Sequence, residues 1–201
     1  MMSTNEDWLA NESRLRQRLV DIVLNNAPLM LALRAANQIG LASWAIGAGA
    51  IRSLVWDHLH GFTTPTAVAD WDFIYFDPSP SPALDEAHIQ KRLQLACPEF
   101  NWDVVNQATV HQWVSKQNGI AVSPFTCLKE GIASWPETAT CVAVSINQAG
   151  ELVIIAPLGL ADLFDMRLRF NSRCISVDAY RQRILSKRLD QIWPKIETIP
   201  A

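Results

Sequence analysis

From Asn5 to Leu24 the apolar residues Leu9, Leu15, Leu19, Ile22 and Val23 recur at helical spacing among charged positions, which predicts an amphipathic helix. Pro28 suits the first turn of a second helix and Gly40 its end. The pattern then changes. LASWAI (41–46) is a short continuous apolar run, as in a buried strand, and DWDFIYF (70–76) is a further strand closed off by Pro78. Between them, Ala48 to His60 is helical in pattern and stops at Gly61, and FTTPTAVA is a connector. Farther on, a helix is expected over Leu84 to Leu95, with Asp85 and Glu86 near its N-terminus, then a strand at NWDVV (101–105). A short helix over Gln107 to Ser115 and another from Ser123 to Trp135 follow. Thr140 to Asn147 and Leu152 to Ala156 read as a hairpin around Gln148-Ala149-Gly150. A helical turn at Gly159 to Asp165, a short strand at Met166 to Phe170 and a basic amphipathic helix from Val177 to Trp193 complete the pattern.

This alternation predicts an α/β or α+β fold, a mixed sheet flanked by helices with additional strands and a helix in the C-terminal part. The 201 residues suffice for one sizeable domain, in which a weak division near Val122 separates 28–122 from 123–201. Charged residues make up 18%, the net charge is −3, and no block of Lys or Arg occurs. An extended nucleic acid is therefore not expected as a partner, although a local basic groove stays open. The opening MMSTNEDWLANESRLRQR lacks the apolar core of a signal peptide, and no apolar run reaches the roughly 18 residues of a membrane span. A cytoplasmic protein without membrane association is expected. The four cysteines lie far apart, which suits reduced, buried thiols better than a zinc site. Most of the eight tryptophans fall within apolar runs and are expected in the core, with base stacking by an exposed one as the lesser alternative.

Candidate chemistry concentrates between Gly47 and Asp77. Gly47 and Gly49 flank Ala48 where a strand gives way to a helix, a turn whose small residues let backbone amides approach a phosphate. Arg52 lies in the first turn of that helix, in reach of the same phosphates. On a strand, Asp70 and Asp72 point to one face and Trp71 to the other. Two such carboxylates repel each other, and a divalent cation with oxygen ligands, Mg²⁺ or Mn²⁺, relieves the repulsion. Two readings stand on the residues alone: a metal-bound nucleoside triphosphate site, or a tight turn followed by an exposed strand start.

The order of small-residue turn, helix and D-x-D strand resembles the nucleotidyltransferase superfamily that includes DNA polymerase beta and the CCA-adding enzymes. The matching residues are Ala48-Gly49, Ile51-Arg52-Ser53, His60-Gly61 and Asp70-Trp71-Asp72. The chain is still more similar to a family of small nucleotidyltransferase-like proteins, through GAIRSLVWDHLHG, DWDFIYFD, NQATVH, WPETATCVAV, APLGLADLF and YRQRILSKRL, which span about Ile46 to Trp193. It departs from the superfamily pattern at Ala48, Trp71 and Ser53, none of them a metal ligand.

The resemblance implies a nucleotidyltransferase-like sheet and transfer of a nucleoside monophosphate from a nucleoside triphosphate to an acceptor hydroxyl, with release of pyrophosphate. It implies Asp70 and Asp72 as metal ligands and a third carboxylate on a later strand. Asp103 is the candidate for that role, with Asp77 as rival; the parity of Asp77 turns it away from Asp72, and Pro78 follows it. Gln107 and His111, four apart, share a face if helical and are candidates for contacting nucleotide or acceptor, or form a structural hydrogen-bonding cluster. His58, His60 and the pair Asp162 and Arg169 are expected to be structural. The alternatives to transfer are a nucleotide- or partner-binding module and a metal-dependent phosphohydrolase. No lysine-bearing P-loop is present.

Overall fold

The structure, a computed structural model, describes residues 4–118 and 121–201. Its centre is a five-stranded sheet of β1 (Trp44–Gly47), β2 (Trp71–Tyr75), β3 (Trp102–Asn106), β4 (Ala143–Ile146) and β5 (Leu152–Ile155), in the order β3-β2-β1-β4-β5. β2 and β3 run parallel and the other neighbours antiparallel, which makes the sheet mixed. Parallel strands need a crossover, supplied between β2 and β3 by the helix Glu86–Ala96. β4, from beyond residue 122, lies against β1, so the C-terminal part completes the same sheet.

Strand parity divides the two faces. Trp44, Ile46, Phe73, Tyr75, Trp102, Val104 and Val144 enter the main core, together with α1 (Thr4–Leu24), α2 (Ala27–Asn37), α3 (Gly49–His60) and the crossover helix, α4. Burying each large apolar side chain contributes roughly 1.5–3 kcal/mol. The alternate residues Ala45, Ile74 and Ala143 face the other side, where Leu128 and Ile132 cover them. Asp72 and Asp103 share the parity of Ile74 and thus belong to this second, partly open face. Trp71 points the opposite way and packs on Phe100 and Trp102, with ring centroids 4.3 and 6.3 Å away. The bulk between the aspartates is therefore core packing.

Asp85, Gly61 and Gly150 act as read, and the structure adds a cap at Asn26. Asn26 caps α2 by accepting from the Leu29 amide at 2.9 Å, and Asp85 caps α4 through His88 at 2.8 Å. Gly61 ends α3 in the left-handed region at φ 70°. The hairpin of β4 and β5 turns at Gly150, φ 80°.

Three expectations need correction. The short helix expected from Gln107 is α5, Val110–Asn118, because residues 107–109 form a turn that the Asn106 side chain organises by accepting from the Ala108 amide. The helix expected over Ser123 to Trp135 shrinks to α6, Leu128–Ile132, which Cys127 enters in an extended conformation. Its Gly131 packs so closely on Gln107 that a methyl group there would lie 2.9 Å from the Gln107 Cβ. The final helix is broken. α8 (Val177–Lys187) ends at Arg188, which adopts φ 46°, and α9 (Leu189–Ile192) resumes at a new angle that buries Leu189 and Trp193. Between α6 and α8 lie the turn helix α7 (Ala161–Phe164) and β6 (Arg167–Arg169). A strand absent from the sequence reading, β7 (Glu197–Ile199), pairs in parallel with β6.

Among the described residues no single helix is long and apolar enough to cross a membrane. The four cysteines form no disulfide. Asp162 and Arg169 pair at 2.9 Å, with Thr138 donating to the same carboxylate at 2.6 Å. His60 bridges the Trp56 carbonyl and the Lys195 amide at 2.7 and 3.1 Å, a structural role.

Candidate active site

The open face of the sheet carries a cavity of about 630 Å³. Asp70, Asp72 and Asp103 line it, with Gly49 and Arg52 of α3. Register places Asp72 directly opposite Asp103 on the parallel neighbour strand. Asp70 stands just before β2, where the Asn101 side-chain amide donates to it at 2.7 Å. The Gly49 amide lies close enough to the Asp72 carboxylate to favour its charged form, so the turn and the acid pair adjoin. Burial, and next the charge of Asp103, push Asp72 up to about 6, with Lys187 pulling the other way. Burial and Asp70 also raise Asp103. Asp72 and Asp103 thus resist ionising together.

The turn itself is unusual. Ala48 adopts φ 50° and ψ −118°, a region in which a β-carbon is strained. Gly47 is not part of the cavity wall. It is a buried β1 residue, and a Cβ there would meet Ala143 Cβ and Trp135 at 2.8 Å. Its missing side chain lets β4 and Trp135 close on β1. A Cβ on Gly49 would meet nothing nearer than the Arg52 guanidinium at 4.0 Å, so the helix start faces open space.

Arg52 is 7% exposed. Its guanidinium carbon lies 5.5 Å from the Trp56 ring centroid and 5.2 Å from that of Trp193. Its Nε is buried without a hydrogen-bond partner. Burial lowers its pKa, a shift that the charges of Glu137 and Asp72 oppose. Trp193 is held by its indole N–H donating to Asp57 at 2.7 Å, and the same Asp57 carboxylate accepts from the amide and hydroxyl of Thr66, each at 2.7 Å. One buried carboxylate thereby ties α3, the connector after it and the C-terminal segment together.

Gln107 also lines the cavity; it is 3% exposed and its Oε1 has no partner. His111 lies on α5 with a buried, unpartnered Nδ1. Because Gln107 precedes the helix, the two do not share a helical face. Asp77 lies away from the cavity, accepting from the Ser79 amide at 2.9 Å while its own amide donates to Asn106.

The sequence reading gave no role to Glu137, Arg183 or Lys187, although they stand in WPETATCVAV and YRQRILSKRL. Glu137 is fully buried and accepts from Arg183 at 2.7 Å. Arg183 and Lys187, four apart on α8, line the cavity. Two cationic residues at this spacing share a helix face, and that was the available signal. The net charge of −3 therefore conceals a local basic wall.

Among the described residues no group of three His, Cys, Asp or Glu side chains is placed to hold a metal ion. The donors nevertheless fit a hard cation that shares further oxygen ligands with phosphate. Asp70, Asp72 and Asp103 offer only oxygen, and their mutual repulsion is what such an ion relieves.

Comparison with solved structures identifies the fold. A solution structure described as revealing a CCA-adding enzyme head domain superposes with a TM-score of 0.77 at 21% identity, covering 92% of this chain and 96% of that one. A CCA-adding enzyme with ATP matches at 0.48 and 14% identity, covering 92% of this chain and 42% of that one. A tRNA nucleotidyltransferase with a primer tRNA and an ATP analogue matches at 0.44 and 19%, covering 84% and 46%. The chain thus spans less than half the length of these two larger enzymes. No curated protein sequence matches significantly. The sequence profile of a family described as nucleotidyltransferase matches residues 34–198, which hold the whole sheet and the cavity, and the chain belongs to that nucleotidyltransferase family.

Proposed function

We propose that the chain is a metal-dependent nucleotidyltransferase that moves a nucleoside monophosphate from a nucleoside triphosphate to an acceptor hydroxyl and releases pyrophosphate. The observation that carries this reading is Asp72 standing opposite Asp103 in one cavity with Asp70, the Gly49 helix start and Arg52. Asp70, Asp72 and Asp103 would hold Mg²⁺ or Mn²⁺, which when bound supplies Lewis-acid activation and charge neutralisation at the phosphates. Gly49 leaves the N-terminus of α3 open to a phosphate, and Arg52 adds a fixed positive charge beside it. Gln107 lines the same cavity, with its buried Oε1 packed against Gly131. His111, on α5, is not among the residues that line the cavity and takes no part in this reading.

In the reaction the acceptor oxygen bonds to the α-phosphorus, the bond from that phosphorus to the β-phosphate bridging oxygen breaks, and Asp103 takes the hydroxyl proton. Asp103 suits this role because it stands on the edge strand β3, where an acceptor has access. The basic wall leaves RNA, protein and small-molecule hydroxyls all open as acceptors, whatever the net charge.

The test pairs titration calorimetry of each nucleoside triphosphate with an assay for pyrophosphate release in a cell extract. The wild type is expected to bind a triphosphate in Mg²⁺ and release pyrophosphate, and Asp72→Asn to lose release. Binding without any release would favour a nucleotide-binding module, and release of orthophosphate a hydrolase.

A further inference from the structure

The wall opposite the carboxylates carries more positive charge than its own anions balance. Arg52, Arg183 and Lys187 all line the cavity. Glu137 is engaged by Arg183 at 2.7 Å and accepts from Thr140 at 3.1 Å. Asp72 stands on the carboxylate side of the cavity, beside Asp103 and Gly49. The Lys187 side chain makes no hydrogen bond or ion pair among the described residues, and the Arg52 Nε is buried and unpartnered.

A lysine in the last turn of a helix is ordinary, since the helix dipole favours it there. Lys187 differs because its charge is brought among others. Burial and the charges of Arg183 and Arg52 disfavour its ammonium form, and Glu137 and Asp72 only partly offset them. The arrangement is held by the chain that follows α8. Arg188 ends α8 at φ 46°, and the chain beyond it is fixed by buried Leu189 and by Trp193, whose ring packs edge-on to Trp56 at 5.3 Å. Three cations held around the single buried carboxylate of Glu137 leave positive charge over, which suits an anion of several charges. A single carboxylate would leave most of the charge unmatched, whereas two linked phosphates would match it.

We propose that Lys187, with Arg183 and Arg52, forms a subsite for the β- and γ-phosphates of the incoming nucleotide, so that the C-terminal helix selects triphosphates and holds the departing pyrophosphate. The inference rests on the nucleotidyl-transfer reading of the cavity and adds to it the group that reads the length of the phosphate chain.

Titration calorimetry in Mg²⁺ with ATP, AMP, pyrophosphate and a short oligoadenylate tests it on the wild type, Lys187→Met and Lys187→Arg, with a thermal melt of each as folding control. The wild type is expected to bind ATP more tightly than AMP. Lys187→Met is expected to lose about tenfold or more in affinity for ATP and pyrophosphate with AMP unchanged, and Lys187→Arg to regain most of that loss. Equal ATP affinity in wild type and Lys187→Met overturns the subsite and leaves nucleotidyl transfer standing. Weakening for oligoadenylate but not ATP also overturns it, by assigning the wall to a backbone phosphate. A wild type that binds neither ATP nor pyrophosphate overturns both readings, whereas the expected losses without nucleotidyl transfer overturn only the transfer reading.

Discussion

Asp72 is a carboxyl whose site works against its own charge. Its folded pKa of about 6 lies above that of an unfolded aspartate because of burial and Asp103. A raised pKa means that the folded state binds the proton more tightly. In the metal-free protein the contribution of Asp72 to stability is therefore full below about pH 4 and is lost as pH rises through about 6. Asp72→Asn removes this dependence. At pH 7 without metal the variant should be more stable than wild type by about 1–3 kcal/mol, discounted for partial solvent screening, and near pH 4 the two should match. Urea titrations at both pH values check this, and equal stabilities at pH 7 would contradict it. The residue identities behind this behaviour were legible, since D-x-D on a strand and the parity of Asp103 follow from the alternation of side chains. Gly47 was less so. The same small residue serves phosphate approach or strand packing, and only the positions of Ala143 and Trp135, distant in sequence, distinguish them.

Among the elements, α8 is the one whose position sets the basic wall of the cavity. Its anchor is Arg183 on the fully buried Glu137, at 2.7 Å. Glu137→Ala leaves the guanidinium without its partner and the Thr140 hydroxyl with one acceptor fewer. The loss should be about 2 kcal/mol or more, toward the lower end for a buried pair because Arg183 retains some access to water. A lower urea midpoint at unchanged slope is the expected result, and an unchanged midpoint would contradict the anchoring role. The amphipathic pattern showed that a basic helix closes the chain, but not that it breaks at Arg188. The break follows from where Leu189 and Trp193 find a core, and that core is built from α3 and the connector after it. β7 was illegible for the same reason. Its three residues carry no apolar period and are defined by pairing with β6.

At the scale of the molecule, the sheet sorts the chain into two faces: a helical layer with the main core on one, and the carboxylates, the glycine turn and the basic wall on the other. Most helices and a mixed sheet were readable from periodicity, because each period reports one buried face. The balance of charge across the cavity was not. Arg52, Arg183 and Lys187 meet only through long-range packing, and a net charge of −3 averages them away. The central claim is that this face transfers a nucleotide. The most direct measurement incubates the protein with α-labelled nucleoside triphosphates, Mg²⁺ and a cell extract, and follows label and pyrophosphate together in wild type and in Asp70→Asn/Asp72→Asn. The account predicts label joined to an acceptor with one pyrophosphate released per transfer, both lost in the double variant. Transfer that survives in the double variant would contradict it.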